Sequence, residues 1–127
     1  MSEATVNVRY MVEDVEAAIA WYTGHLGFSL LSNQAPAFAD VKLGSLRLLL
    51  SGPTSSAGRP MPDGEQPRPG GWNRIHLVVD DLPAEVARLR GAGATFRNEI
   101  VTGPGGSQIL LVDPSGNLVE LFQPARH

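Results

Sequence analysis

The sequence contains no cysteine. That excludes disulfides, thiolate nucleophiles and cysteine-ligated zinc. It lacks any cluster of lysine and arginine, and its formal net charge is −3. Neither feature suits a nucleic-acid partner. The opening residues MSEATVNV have neither the basic start nor the apolar run of a secretory leader. Continuous apolar runs fall far short of a membrane span. What remains is a chain of 127 residues, 43% of them hydrophobic, sized for one domain and one core. We expect a soluble, cytoplasmic protein with neither a membrane nor a nucleic acid as partner.

The chain repeats one plan. VRYMVEDVEAAIAWYTGHLGF (8–28) aligns with IHLVVDDLPAEVARLRGAGATF (75–96). Each opens on a β-rich run, passes an acidic pair and continues with helical periodicity. Asp14 and Asp81 are the expected helix N-caps. Val15, Ala18, Ile19, Tyr22 and Leu26 fall on one helical face, as do Leu82, Val86 and Leu89. Gly24 and Gly27 should close the first helix, Gly91 and Gly93 the second. Three extended runs follow each helix: FSLLS, FADVKLG and LRLLLS, then TFRNEI, SQILLV and NLVELFQ. The pattern is α+β, with βαβββ modules over 5–51 and 73–124. Between them, 52–72 is a connector. The stretch 51–71 holds five of the ten prolines and five of the fourteen glycines, so it should be extended or disordered. It should serve either as a linker or as an arm or lid over a site or a partner subunit.

The strand NLVELF raises a local question. It follows the turn Asp113-Pro114-Ser115-Gly116, and it is apolar on both faces except at Glu120. Alternation puts Leu118, Glu120 and Phe122 on one face. In NRIHLVV it groups Arg74, His76 and Val78 against Ile75, Leu77 and Val79; in VNVRYMV it groups Asn7, Arg9 and Met11. Arg47, Leu49 and Ser51 share a face, and Trp72 has the parity of Arg74 if the strand starts that early. The all-apolar faces should pack on the helices. The others then collect Asn7, Arg9, Arg47, Trp72, Arg74, His76, Glu120 and Phe122 as candidate ligand-binding residues, with His76 and Glu120 the candidates for a catalytic base. Trp72, beside the connector, suits stacking on a ligand, whereas Trp21 and Tyr22 are read as core and helix surface. His25 sits at a helix end, where the dipole favours it, and His127 is terminal. FRNEIVTGPGG (96–106) should form a polar rim, with Arg97 and Asn98 available for hydrogen bonds; GPGG is not followed by the Lys-Ser/Thr of a phosphate loop.

Tandem βαβββ modules, WYTGHLGF after the first helix and DPSGNLVELF at the end together resemble the vicinal oxygen chelate superfamily of glyoxalases, bleomycin resistance proteins and extradiol dioxygenases. The resemblance covers about residues 6–124. It implies an open barrel of curved mixed sheets around a cleft between the modules, and a homodimer. It also implies, in metal-dependent members, a divalent ion held by first-strand and last-strand residues of each module. Carried across, those positions are Asn7, Leu48 or Leu49, Arg74 and Glu120. Only Glu120 is a good ligand, and a guanidinium stays protonated at any ordinary pH. His76 could join Glu120, giving two ligands where a catalytic zinc usually has three.

We therefore expect an Arg74–Glu120 ion pair across one ladder, in fork-to-carboxylate geometry, where a metal would otherwise bridge the strands. Arg9, Arg47 and His76 would leave surplus positive potential. The leading expectation is metal-independent binding or sequestration of a small aromatic or anionic compound, with no cofactor. Trp72, Met11, Leu49 and Phe122 would form its apolar walls. The alternatives are a lyase, isomerase or dioxygenase, with a divalent metal or metal-free, and a structural module with a vestigial cleft.

Overall fold

The computed structural model describes residues 4–126. The chain divides into two compact units, meeting between Gly70 and Gly71. The first contains strand β1 (Asn7–Met11), helix α1 (Val15–Leu26), and strands β2 (Ser29–Gln34), β3 (Phe38–Leu43) and β4 (Leu46–Ser51). Its sheet runs β1-β4-β3-β2, with β1 parallel to β4 and the other pairs antiparallel. The second contains β5 (Ile75–Val78), α2 (Leu82–Gly91), β6 (Thr95–Phe96), β7 (Val101–Gly103), β8 (Gly106–Val112) and β9 (Leu118–Pro124). There β5 is parallel to β9, β9 pairs with β8, and both β6 and β7 pair with β8. The architecture is α+β, built of two βαβββ-like modules with mixed sheets.

Both helices start as the capping residues dictate. The carboxylate of Asp14 accepts from Ala17 N at 3.1 Å, and that of Asp81 from Ala84 N at 3.1 Å. Gly27, at φ 73°, caps α1 in the left-handed region, so the chain turns there without a Cβ penalty. Gly24 lies inside α1 rather than ending it, and Gly91 is the last residue of α2. Val15, Ala18, Ile19 and Tyr22 are buried beneath α1, and Leu82, Val86 and Leu89 beneath α2. Tyr22 is fully buried, edge-on to Phe28 with centroids 5.5 Å apart; Trp21 is only half-buried. His25 lies in the last turn of α1, edge-on to Trp21.

Two further expectations need correction. TFRNEI is not one strand: pairing stops after Phe96 and resumes at Val101. Asn98 bridges the interruption, its Oδ1 accepting from Leu110 N at 2.9 Å, because a side-chain amide can stand in for a ladder carbonyl. Val101–Gly103 then forms a hairpin with β8 inside what reads as a rim. The connector is neither extended nor disordered throughout. Ser55 Oγ donates to Gly52 O at 2.6 Å and accepts from Gly58 N at 3.2 Å, folding a short turn over Ser56–Gly58. Among the described residues no helix is long and apolar enough to cross a membrane. His127 lies outside the described residues.

Candidate functional site

In the second unit, the turn before β9 sets the register. Asp113 Oδ1 accepts from Ser115 N at 2.9 Å and Asn117 N at 2.8 Å, and Gly116 N donates to Asp113 O at 3.0 Å. This closed turn aligns Leu110 with Glu120 across β8 and β9, while β5 aligns His76 with Glu120 from the other side. Glu120 is 6% exposed. A carboxylate buried to that degree needs partners, since desolvation of an unpaired charge is prohibitive. It has two. Arg74 Nε donates to Glu120 Oε1 at 3.0 Å, and Arg74 Nη2 lies 2.9 Å from the same oxygen. His76 Nε2 lies 3.5 Å from Oε2 and its ring stacks, tilted, 4.8 Å from Phe122.

This geometry answers what the acidic residue does in an apolar strand, and it departs from expectation in two respects. The residue directly across the ladder from Glu120 is His76. Arg74 precedes β5 and reaches in from one end. The guanidinium also puts two nitrogens on one oxygen instead of forming a two-oxygen fork, which leaves Oε2 to the imidazole. Trp72 lies outside the strand and is 63% exposed; its carbonyl accepts from Arg74 Nη1 at 3.2 Å. Arg97 lies over its ring, 5.4 Å from the centroid. Phe122 is half-buried.

In the first unit the register pairs Arg9 with Leu49, so Leu49, not Leu48, holds the position of Glu120. The carboxylate of this sheet is Asp40, on β3, and sequence reasoning missed it. Asp40 is 3% exposed. Arg47 Nε donates to its Oδ2 at 2.7 Å, Arg47 Nη2 lies 2.7 Å from that oxygen, and Ser32 Oγ donates to Oδ1. Burial disfavours the charged form of Asp40, but the Ser32 hydroxyl and the Arg47 guanidinium outweigh it and hold its carboxyl below the ordinary range. Arg47 is therefore compensated, and the expected positive surplus shrinks. Arg9 remains exposed, its Nη1 donating to the buried Ser51 Oγ at 2.8 Å. Asn7 is exposed at the start of β1. A signal for Asp40 was present in FADVKLGSLRLLLS. The Gly44-Ser45 turn sets Asp40 opposite Leu49 and Lys42 opposite Arg47, on one face.

A divalent metal, which the fold implies for some proteins built this way, does not fit these donors. Among the described residues no group of three or more His, Cys, Asp and Glu is placed to hold one. Glu120 and His76 are the nearest approach, and Arg74 already occupies Oε1. A cation beside that guanidinium would meet several kcal/mol of repulsion, on the order expected for like charges a few Å apart in a partly desolvated site.

The model of the Glyoxalase/Bleomycin resistance protein/Dioxygenase superfamily matches residues 5–121. The chain belongs to that superfamily. The solved TnmS3 of Streptomyces sp. CB03234, an antibiotic binding protein, is 28% identical with a TM-score of 0.73, over 98% of each chain. A superfamily member from Sphaerobacter thermophilus DSM 20745 is 26% identical with a TM-score of 0.76, over 96% of this chain and 98% of that one. The candidate glyoxylase CFP32 of Mycobacterium tuberculosis is 31% identical over 116 residues. That match covers 90% of this chain but 43% of CFP32, so the chain spans less than half the length of this curated relative.

Proposed function

We propose that this superfamily member binds a small aromatic or anionic compound without a metal ion, and acts by sequestering it. One observation carries this reading: the Arg74 guanidinium is paired with the carboxylate of Glu120, where a cation would have to sit beside it. The protein thus neutralises Glu120 by itself. Arg74 and His76 then offer N–H groups beside Phe122 within the second unit. Apolar walls with a few fixed polar groups are the usual make-up of a small-molecule site. The likeness to an antibiotic-binding protein supports a small-molecule ligand.

The test is a thermal-shift and tryptophan-fluorescence screen of aromatic acids and natural products. Ni²⁺, Zn²⁺, Fe²⁺ and Mn²⁺ are run in parallel on protein purified without a His-tag. At least one organic compound should raise the Tm and perturb fluorescence, with an affinity reduced in Arg74→Ala; the metals should do neither. Stoichiometric metal that disappears in Glu120→Gln would overturn the reading in favour of a metal-dependent lyase or dioxygenase.

A further inference from the structure

We propose that the recess beside Trp72 is a seat for a planar aromatic anion, with Trp72 as the stacking face and Arg97 as the charge. This rests on the reading that the chain binds a small molecule, and it names the ligand's chemistry. The recess measures about 250 Å³ and is lined by Gly71, Trp72, Arg97, Val112, Gly116 and Leu118. It is smaller than a typical drug-sized pocket, so it seats one ring system of a ligand.

Three features make it more than a surface indentation. The first is an indole left 63% exposed while its backbone is tied down. Arg74 Nη1 holds the Trp72 carbonyl at 3.2 Å, and Arg74 is in turn held by the buried Glu120. Glu120 thereby positions the stacking residue through Arg74, without touching the ligand. The second is the pinning of Arg97. Its backbone N donates to Leu110 O at 2.8 Å, and the adjacent Asn98 accepts from Leu110 N at 2.9 Å. The interruption between β6 and β7 therefore holds Arg97 at one place on β8. The third is charge. Arg97 lies over the indole and no carboxylate among the described residues pairs with it. A guanidinium above a ring keeps its N–H edge available for an oxyanion. Val112 and Leu118 supply apolar wall opposite, and the glycines at 71 and 116 add no side chain to fill the space.

A planar ring carrying a carboxylate or sulfonate at its edge satisfies all of these at once. A neutral ring would lose the guanidinium, and a non-planar acid would lose the stacking.

The experiment is calorimetric titration of the full chain with 2-naphthoate, 2-naphthalenemethanol and cyclohexanecarboxylate at low ionic strength. It is repeated on Trp72→Ala, Arg97→Gln and, as a control, Arg68→Gln, whose side chain is 80% exposed. Trp72 and Arg97 are themselves exposed, so both variants should melt like the parent. 2-Naphthoate should bind one to one, at least tenfold tighter than either analogue. Trp72→Ala should weaken it at least tenfold. Arg97→Gln should bring it to the level of the neutral alcohol, and Arg68→Gln should leave it unchanged. No naphthoate binding by the parent, or an affinity unchanged in either the Trp72 or the Arg97 variant, overturns the proposal. A compound from the broader screen that binds indifferently to both variants would also overturn it, while leaving the small-molecule reading standing. An empty screen would instead remove that reading.

Discussion

The two units solve one electrostatic problem on different strands. Each sheet buries one carboxylate and holds it with an arginine that is itself partly exposed: Asp40 with Arg47 in the first, Glu120 with Arg74 in the second. Aligned by register, however, the positions are exchanged. Asp40 corresponds to Leu110, and Leu49 to Glu120. The first unit thus has its acid on β3 and a leucine on the last strand; the second has the reverse. Each sheet therefore carries one carboxylate paired by protein, but on a different strand. In the second unit the choice of β9 also ties the acid, through Arg74, to Trp72, which Asp40 has no means of doing.

The comparison can be broken most severely by removing one guanidinium. Arg74→Ala leaves Glu120 buried and should destabilise the chain by about 2 kcal/mol, below the roughly 3–5 kcal/mol of a fully buried pair because the Arg74 side chain is 29% exposed. Arg74→Leu combined with Glu120→Leu should recover most of that loss, since desolvation of both charges is avoided. Urea midpoints of the three proteins decide it; a double variant as unstable as the single one would mean that packing, not charge, is what Arg74 supplies.

Exchanging the acids sharpens the point. Leu49→Glu alone places a second carboxylate directly across from Asp40 and should cost about 1 kcal/mol or more through like-charge opposition. Adding Asp40→Leu reproduces the pattern of the second unit, with Arg9 as the ladder neighbour of the new acid, and should restore much of the loss. A double variant no better than Leu49→Glu would show that Asp40 is fixed by its bonds to Ser32 and Arg47.

Acid should act on Asp40. The folded-state pKa of Asp40 lies below its unfolded value, about 3.8. Its stabilising contribution is therefore complete above that value and is lost as pH falls through the depressed folded pKa. Asp40→Asn should flatten the stability profile below about pH 4, with an effect near 1 kcal/mol because Arg47 is 42% exposed and screened by solvent. Equal acid sensitivity in the parent and the variant would contradict this.

Much of this was legible in the residues, because it depends on local rules. The N-caps, the alternation of β1 and β5 and the turn before β9 follow from neighbours within a few positions. The ion pair at Glu120 was legible through the last-strand motif. Its one-oxygen geometry was not, since that depends on Arg74 approaching from beyond the strand end. The pairing of Asp40 needed a hairpin register carried through to a diagonal neighbour. The division of TFRNEI was hidden because Asn98 satisfies Leu110 N with a side chain, which no periodicity reports.

The smallest expected difference lies at the helix starts. Asp14→Ala and Asp81→Ala each remove one cap bond and should cost about 1 kcal/mol. They should not be quite equal. Leu82 N, at the start of α2, also donates to Gln123 Oε1 at 2.7 Å. The register places Gly52 at the matching position of the first unit, where a Cβ would come within 2.5 Å of Pro36 O and 3.0 Å of Val15 Cγ2. Crowding by that loop excludes a side chain, so the first unit cannot supply the same acceptor. With Gln123 intact, α2 keeps a first-turn bond when its cap is lost, and Asp81→Ala should be the milder variant by a few tenths of a kcal/mol. Gln123→Ala in the Asp81→Ala background should then cost more than it does in the parent, a coupling that a double-mutant cycle reads directly.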